Sequence, residues 1–491
     1  MLDRIQNFTQ LLAVGNLPGR RAMLQILEAG LQASNPYANA RKLVRLEGTK
    51  LIIGCREFEP AACPHTGDEV FDLSEVRHIY LVGAGKGIQH VARAIEEALG
   101  DHLSGGHVID KKGHPIILEK VGVTLGGHPT PDEDCVQGCE RILKFAEGVT
   151  DKDLVITCVA NGVSSLLTLP AEGVTVEDLR QTTIATQIER GMTTKELSPI
   201  RNHLDRIKGG RISRYFYPAK MIHVVAVDPS DYSKLMHENY WLHTLPDCTT
   251  FQDAIENLKR YDALEAIPKS VRNHLEKADP REETVKAEEF EKMYFRIFGL
   301  MPGYRLSGKL VPAMKKAEAL GFRAVMVTDE LMEIEAHQAA LYMAAIASTI
   351  ERTGAPFEPP CALFSSGELV VKVGRQRGVG GRNQEFALSA ALRIAGSTNI
   401  VMASVDTDGT DGPGTQFCDR SGEAECLAGG IVDGSTAREA RIRGVDIREG
   451  LRQHAASDVL RALNSGIVAS PNISLNDLTV ALITGRSKQA S

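Results

Sequence analysis

Short apolar runs, each followed by a loop bearing Gly or Asp and then by an amphipathic stretch, recur along this chain. The first clear one is His78-Ile79-Tyr80-Leu81-Val82, which leads into Gly83-Ala84-Gly85-Lys86-Gly87. A helical pattern at Val91, Ala92, Ala94, Ile95 and Leu99 follows it. Further runs begin at Leu154, Met221, Arg323, Ile400 and Leu478. Continuous β-branched runs alternating with helices predict parallel strands covered on both faces, hence an α/β fold. A helix is expected over Ile5 to Glu28. The charged stretch Glu276-Lys277-Ala278-Asp279-Pro280-Arg281-Glu282-Glu283-Thr284 is the best candidate for a boundary, which gives domains over 1–278 and 285–491.

With 491 residues the chain exceeds what one core usually serves, and 43% hydrophobic with 24% charged residues describes an ordinary soluble globular protein. The formal charge of -7 and the lack of a long basic run argue against a nucleic-acid partner. A small anionic substrate is not excluded, because clustered Arg and Lys can invert the field inside one cleft. Nine cysteines without a Cys-x-x-Cys pair read as reduced packing residues of a cytosolic enzyme. No secretory leader and no apolar stretch of about 20 residues stands out, so membrane insertion is not expected and the location is read as cytoplasmic.

Two loops stand out chemically. Gly378-Val379-Gly380-Gly381-Arg382-Asn383-Gln384-Glu385 opens an apolar helix, where free amides and the helix dipole favour an anion and Arg382 could close on a phosphate or carboxylate. A tight turn before an ordinary helix explains the same glycines. Asp406-Thr407-Asp408-Gly409-Thr410-Asp411 follows a strand, and its three carboxylates suit Mg²⁺ bound through oxygen.

Weaker signals surround these. The Gly83–Gly87 loop is neither a Rossmann fingerprint, since Ile88 stands where the third glycine belongs, nor a Walker A loop, yet Lys86 is placed to meet a phosphoryl group. In Gly126-Gly127-His128-Pro129-Thr130-Pro131-Asp132-Glu133, helix capping explains Thr130, Pro131 and Glu133 but leaves His128 over. Arg201 to Arg211 gathers cations, Arg201 and Lys208 among them, beside a glycine pair. Asp228 ends an apolar run, as a metal ligand, a general base or a helix cap would.

Together these segments resemble the type II glycerate kinases, also called the MOFRL family. The resemblance rests on Gly83-Ala84-Gly85-Lys86, Gly126-Gly127-His128-Pro129, Ile207-Lys208-Gly209-Gly210-Arg211, Gly380-Gly381-Arg382-Asn383-Gln384-Glu385, Thr407-Asp408-Gly409-Thr410-Asp411-Gly412 and Asn476-Asp477-Leu478. It implies a Rossmann-like parallel-sheet domain and a second, smaller α/β domain, with ATP and glycerate as substrates. Lys86 and Arg382 would handle the phosphoryl group and the acid, with Asp228 as a third catalytic group. Gly85, His128, Asn161, Ser164, Arg201, Lys208, Glu368, Asn383 and Asn476 would line the substrate and nucleotide sites, and Asp408 and Asp411 would hold Mg²⁺.

The chain departs from the family pattern at Ala160-Asn161-Gly162-Val163-Ser164, at Trp241-Leu242-His243, at Leu369 and at Ile473-Ser474. Larger or apolar residues stand there in place of small or hydroxyl-bearing ones. An acceptor other than glycerate, such as a four- or five-carbon sugar acid, is the expectation that follows. The leading reading is an ATP- and Mg²⁺-dependent kinase of a small hydroxy acid, with a homo-oligomer possible. Its rivals are a hydroxypyruvate reductase, opposed by the missing dinucleotide fingerprint, and a ligand-binding homologue without turnover.

Overall fold

A computed structural model describes residues 3–33, 35–227, 231–301, 310–374, 378–414 and 426–487. The chain forms two compact units, one of residues 35–302 and one joining 1–34 to 303–491.

The 35–302 unit is built on β1 (Ile79–Ala84), β2 (Gly105–Lys111), β3 (Gly122–Gly126), β4 (Leu154–Val159), β5 (Lys220–Val225) and β6 (Phe295–Gly299). These lie in the order β3-β2-β1-β4-β5-β6 with every neighbouring pair parallel. All six residues of β4 are buried, as a sheet covered on both faces requires. Helices α1 (Gln89–Leu99), α2 (Glu133–Lys144), the single turn α3 (Val163–Leu166) and α4 (Thr194–His203) follow the strands or the loops beyond them. The strand order reverses between β1 and β4, where the carboxyl ends of a doubly wound sheet leave a crevice.

The expected boundary at 278–285 moves, because β6 follows the charged stretch and completes the same sheet. An exposed loop inside a unit and a linker between units are charged for the same reason, so composition could not separate them.

The other unit holds β7 (Arg323–Glu335), β8 (Cys361–Val370), β9 (Ile400–Asp406), β10 (Gly429–Asp433), β11 (Gly466–Ile467) and β12 (Asp477–Ile483), in the order β7-β8-β12-β9-β10-β11. Only β7 and β8 run parallel; every other pair is antiparallel. The expectation of parallel strands fails here, since burial on both faces makes a run continuous whatever its direction. Helix α5 (Arg382–Arg393) packs against this sheet through Phe386, Ala387 and Ala390.

The expected helix from Ile5 to Glu28 is broken into Phe8–Leu11 and Leu17–Gln32. Gly15 takes φ +77° and the Asn16 side chain accepts from the Gly19 amide at 3.0 Å, which starts a new helix. Leu24, Leu27 and Leu31 of that helix join Val401, Phe364 and Leu482 in one core, and Arg20 meets Asp433 at 2.6 Å with both side chains buried.

Candidate functional site

At the crevice of the 35–302 unit, β1 and β4 approach too closely for side chains. A Cβ on Gly83 would lie 1.8 Å from the Cys158 carbonyl oxygen, and one on Gly85, at φ +152°, would lie 2.7 Å from the Ala160 amide nitrogen. The Lys86 amide therefore reaches the Asn161 carbonyl and donates to it at 2.8 Å. Gly162, at φ +87°, continues the crowding: a Cβ there would fall 2.7 Å from Lys86 Cγ and 3.2 Å from His128 Cδ2. Lys86 and His128, from two separate loops, thus converge on Gly162 of a third, whose Asn161 carbonyl holds the Lys86 amide, with Lys86 only 9% exposed. The His128 loop is pinned by Ser165 Oγ, which donates to the Gly127 carbonyl at 2.8 Å.

Beside this group, Ser164 Oγ pairs with His243 Nε2 at 2.8 Å. Burial, and then the nearby Lys208 and Arg201 charges, hold the His243 imidazole well below its ordinary pKa, so it is neutral. Lys208 is already matched, its Nζ lying 2.6 Å from Asp205 Oδ2 and 2.7 Å from Thr168 Oγ1. Arg201, on α4, donates to Gln187 Oε1 at 2.9 Å, and burial lowers its pKa to about 10, leaving it charged at neutral pH. Ser164, Thr168, Arg201 and Lys208 line a cavity together with Leu179 and Ile200.

In the second unit the sequence-based assignment changes. The anion at the start of α5 is Asp411 of the protein itself, whose Oδ2 accepts from the Gln384 amide at 3.0 Å and whose Oδ1 accepts from Asn383 Nδ2 at 3.1 Å. Arg382 is engaged by carboxylates of the protein itself. Its Nε meets Asp477 Oδ2 at 2.8 Å, its Nη2 meets Asp406 Oδ2 at 3.0 Å, and its Nη1 lies 3.3 Å from Glu368 Oε1. Asn383 also donates to Asp477 Oδ1 at 2.8 Å, so it braces the same hub. Asn476, at φ +64°, offers its carbonyl to Thr407 Oγ1 at 2.8 Å.

Asp408 Oδ1 accepts from the Thr410 amide at 2.7 Å and from the Thr410 hydroxyl at 2.9 Å, which closes its own loop. Among the described residues no three His, Cys, Asp or Glu side chains are grouped so as to hold a metal ion. Loop closure uses Asp408 Oδ1, and the capping of α5 uses both Asp411 oxygens. Asp228 lies outside the described residues.

Sequence reasoning gave no role to Asp477 and none to His243. Asp477 sits inside a quoted motif, and three acids near one arginine were visible only once β9 and β12 paired. The bulky replacements at 242, 369 and 473 are core residues: Leu242 and Leu369 are each 2% exposed and Ile473 is fully buried.

Among the described residues no helix is long and apolar enough to cross a membrane. Residues 22–276 match the family described as a domain of unknown function (DUF4147), and residues 361–476 match the MOFRL family. The glycerate 2-kinase of Pyrococcus horikoshii is 30% identical, over 95% of this chain and 98% of that protein. The D-glycerate 2-kinase of Thermotoga maritima is 31% identical, over 82% of this chain and 90% of its own length. A crystal structure of a glycerate kinase from Thermotoga maritima superposes with a TM-score of 0.67 at 28% identity, covering 94% of this chain and 99% of that one.

Proposed function

Because this chain belongs to the glycerate 2-kinase family, we propose that it transfers a phosphoryl group from ATP to a hydroxyl of glycerate or a closely related small hydroxy acid. The observation that carries this reading is the convergence of Lys86 and His128 on the Asn161-Gly162 loop, at the reversal point of a parallel sheet. Phosphoryl transfer depends on positioned charge more than on covalent chemistry, so a preorganised cation beside close-approach glycines suits it. Lys86 supplies a compact charge for phosphoryl oxygens, and the glycine loops let backbone amides come near a polyphosphate. His128, beside Lys86, adds a ring nitrogen facing the same crowded loop.

Mg²⁺ enters this proposal as the companion of ATP, which carries it on its phosphates with few protein ligands. No step is assigned through the ion. Arg382 organises the acidic loops of the second unit and is not given the phosphoryl group.

The test is to incubate the protein with Mg-ATP and D-glycerate, alongside four- and five-carbon sugar acids, and to follow ADP. A parallel reaction with NADH and hydroxypyruvate follows NADH. The proposal expects acid-dependent ADP and no NADH loss. ADP formation with none of the acids, or NADH oxidation in its place, would reject it.

A further inference from the structure

The second unit has a polar cavity of about 300 Å³, room for some ten waters at ~30 Å³ each. Its lining includes residues 394–398, just before β9, and Ser487, beyond the end of β12. Two helices also end there. The helix Ala336–Thr353 contributes Ser348 and Glu351, and α5 contributes its last residue, Arg393. Glu351 is only 8% exposed. Its Oε1 accepts from Ser397 Oγ at 2.8 Å and from Asn399 Nδ2 at 3.0 Å, so the loop between α5 and β9 holds one oxygen. Its Oε2 has no hydrogen-bond or ion-pair partner among the described residues.

A glutamate buried to this degree is rarely left without a cation, and the last turn of a helix is where its charge is least favoured. A hard metal ion is a poor match, since it takes several oxygen ligands and no second acidic side chain is grouped with Glu351 among the described residues. An ammonium fits better. It has three donors, and the Ser348 hydroxyl, three residues earlier on the same helix face, makes no hydrogen bond among the described residues. Arg393 is exposed and forms no ion pair or hydrogen bond among them either. One negative and one positive side chain on a single lining, neither spent on the other, match a zwitterion. We propose that this cavity binds a small α-amino acid, its ammonium on Glu351 and Ser348 and its carboxylate on the Arg393 guanidinium. The site stands apart from the kinase reading. It lies at the opposite end of the 7-residue β9 from Asp406, about 20 Å away at ~3.3 Å per residue.

The experiment titrates the full-length protein in a calorimeter with glycine, L-alanine, L-serine and L-threonine, without nucleotide or hydroxy acid. Ethylamine and propionate, each carrying one half of the zwitterion, are the controls. At least one amino acid should bind at one site per chain, and both controls should bind about tenfold more weakly or worse, since each forgoes a charge-assisted contact. Arg393→Gln and Glu351→Gln should each raise the dissociation constant about 10- to 100-fold. Gln at 351 keeps an oxygen for Ser397 and Asn399, and a thermal melt of both variants checks the fold. Arg393 is exposed, so its variant carries the test alone if the other is unstable.

No binding of any of the four amino acids at tens of millimolar overturns the proposal. So does an affinity that is unchanged in Arg393→Gln. Propionate or ethylamine binding as tightly as the amino acids overturns it too, because one of the two charges would then have no role. Displacement by D-glycerate, from wild type and Arg393→Gln alike, would put the amino acid in the acceptor site and reject the cavity. Binding that depends on Glu351 and Arg393 in a protein that makes no ADP upholds the site while the kinase reading fails, so the two failures are distinguishable.

Discussion

Arg382 meets carboxylates from three strands or their ends: Glu368 from β8, Asp406 from β9 and Asp477 from β12. The two Asp side chains are each 2% exposed and each meets this guanidinium within 3.0 Å. Removing one partner of a buried ion pair typically costs about 3–5 kcal/mol. Arg382→Gln should therefore lower the stability of the second unit by an amount of that order, read as a drop in the urea midpoint. A variant that melts like the wild type but turns over slowly would return Arg382 to a purely chemical role.

Asp411 gives a pH signature. Burial raises its carboxyl from 3.8 to about 6, so the folded protein holds that proton more tightly than the unfolded chain does. The stability this confers is present below pH 3.8 and is lost as pH rises through about 6. The loss amounts to roughly 3 kcal/mol, at about 1.36 kcal/mol per pH unit. Wild type minus Asp411→Asn should show that decline between pH 4 and 6 in urea melts, and a flat difference would contradict the burial argument. The sequence marked both Asp411 and the start of α5, yet a glycine-led helix start reads alike whether its anion is a ligand or the protein's own carboxylate.

At the level of elements, the first sheet was legible because long apolar runs, glycine loops and helices alternate with the regularity of a parallel crossover fold. The second sheet was legible as strands but not as directions, because its runs are buried on both faces and carry no alternation. Glycine is where the first sheet and the site depend on each other. Gly83 lies within β1, and a methyl there would sit 1.8 Å from the Cys158 oxygen of β4. Backbone cannot yield as a side-chain tip can, so overpacking of this kind costs about 1–3 kcal/mol or more. Gly83→Ala should lower the melting temperature of the 35–302 unit and raise the KM for ATP as Lys86 is displaced. Gly148→Ala makes a useful contrast: a Cβ there meets nothing within 4 Å, so only its φ of +71° is strained and no neighbour is pushed.

At the level of the molecule, one unit is discontinuous in sequence, since it joins residues 1–34 to 303–491 while the uninterrupted 35–302 form the other. The helix Leu17–Gln32 buries Leu24, Leu27 and Leu31 in that shared core. Deleting residues 3–33 should leave 35–301 resistant to limited proteolysis and make 310–487 readily cut. Equal resistance of both would show the helix to be dispensable. The sequence hid this arrangement because an amphipathic helix shows that it has a partner without showing which one.

The discontinuity sets an order of events on the ribosome. The helix Leu17–Gln32 is made well before Phe364, Val401 and Leu482, against which its leucines pack. At ~5–20 residues per second the wait is some tens of seconds, during which the intervening unit can fold as a unit of its own. The helix must pass that interval as a tethered amphipathic segment, its leucines open to chaperones or to a neighbouring nascent chain. Arg20 waits too, for an Asp433 counter-charge made shortly before Leu482. Newly made protein thus has one unit complete while the other still awaits its final strand, and it is in this half-finished interval that the chain is most open to aggregation.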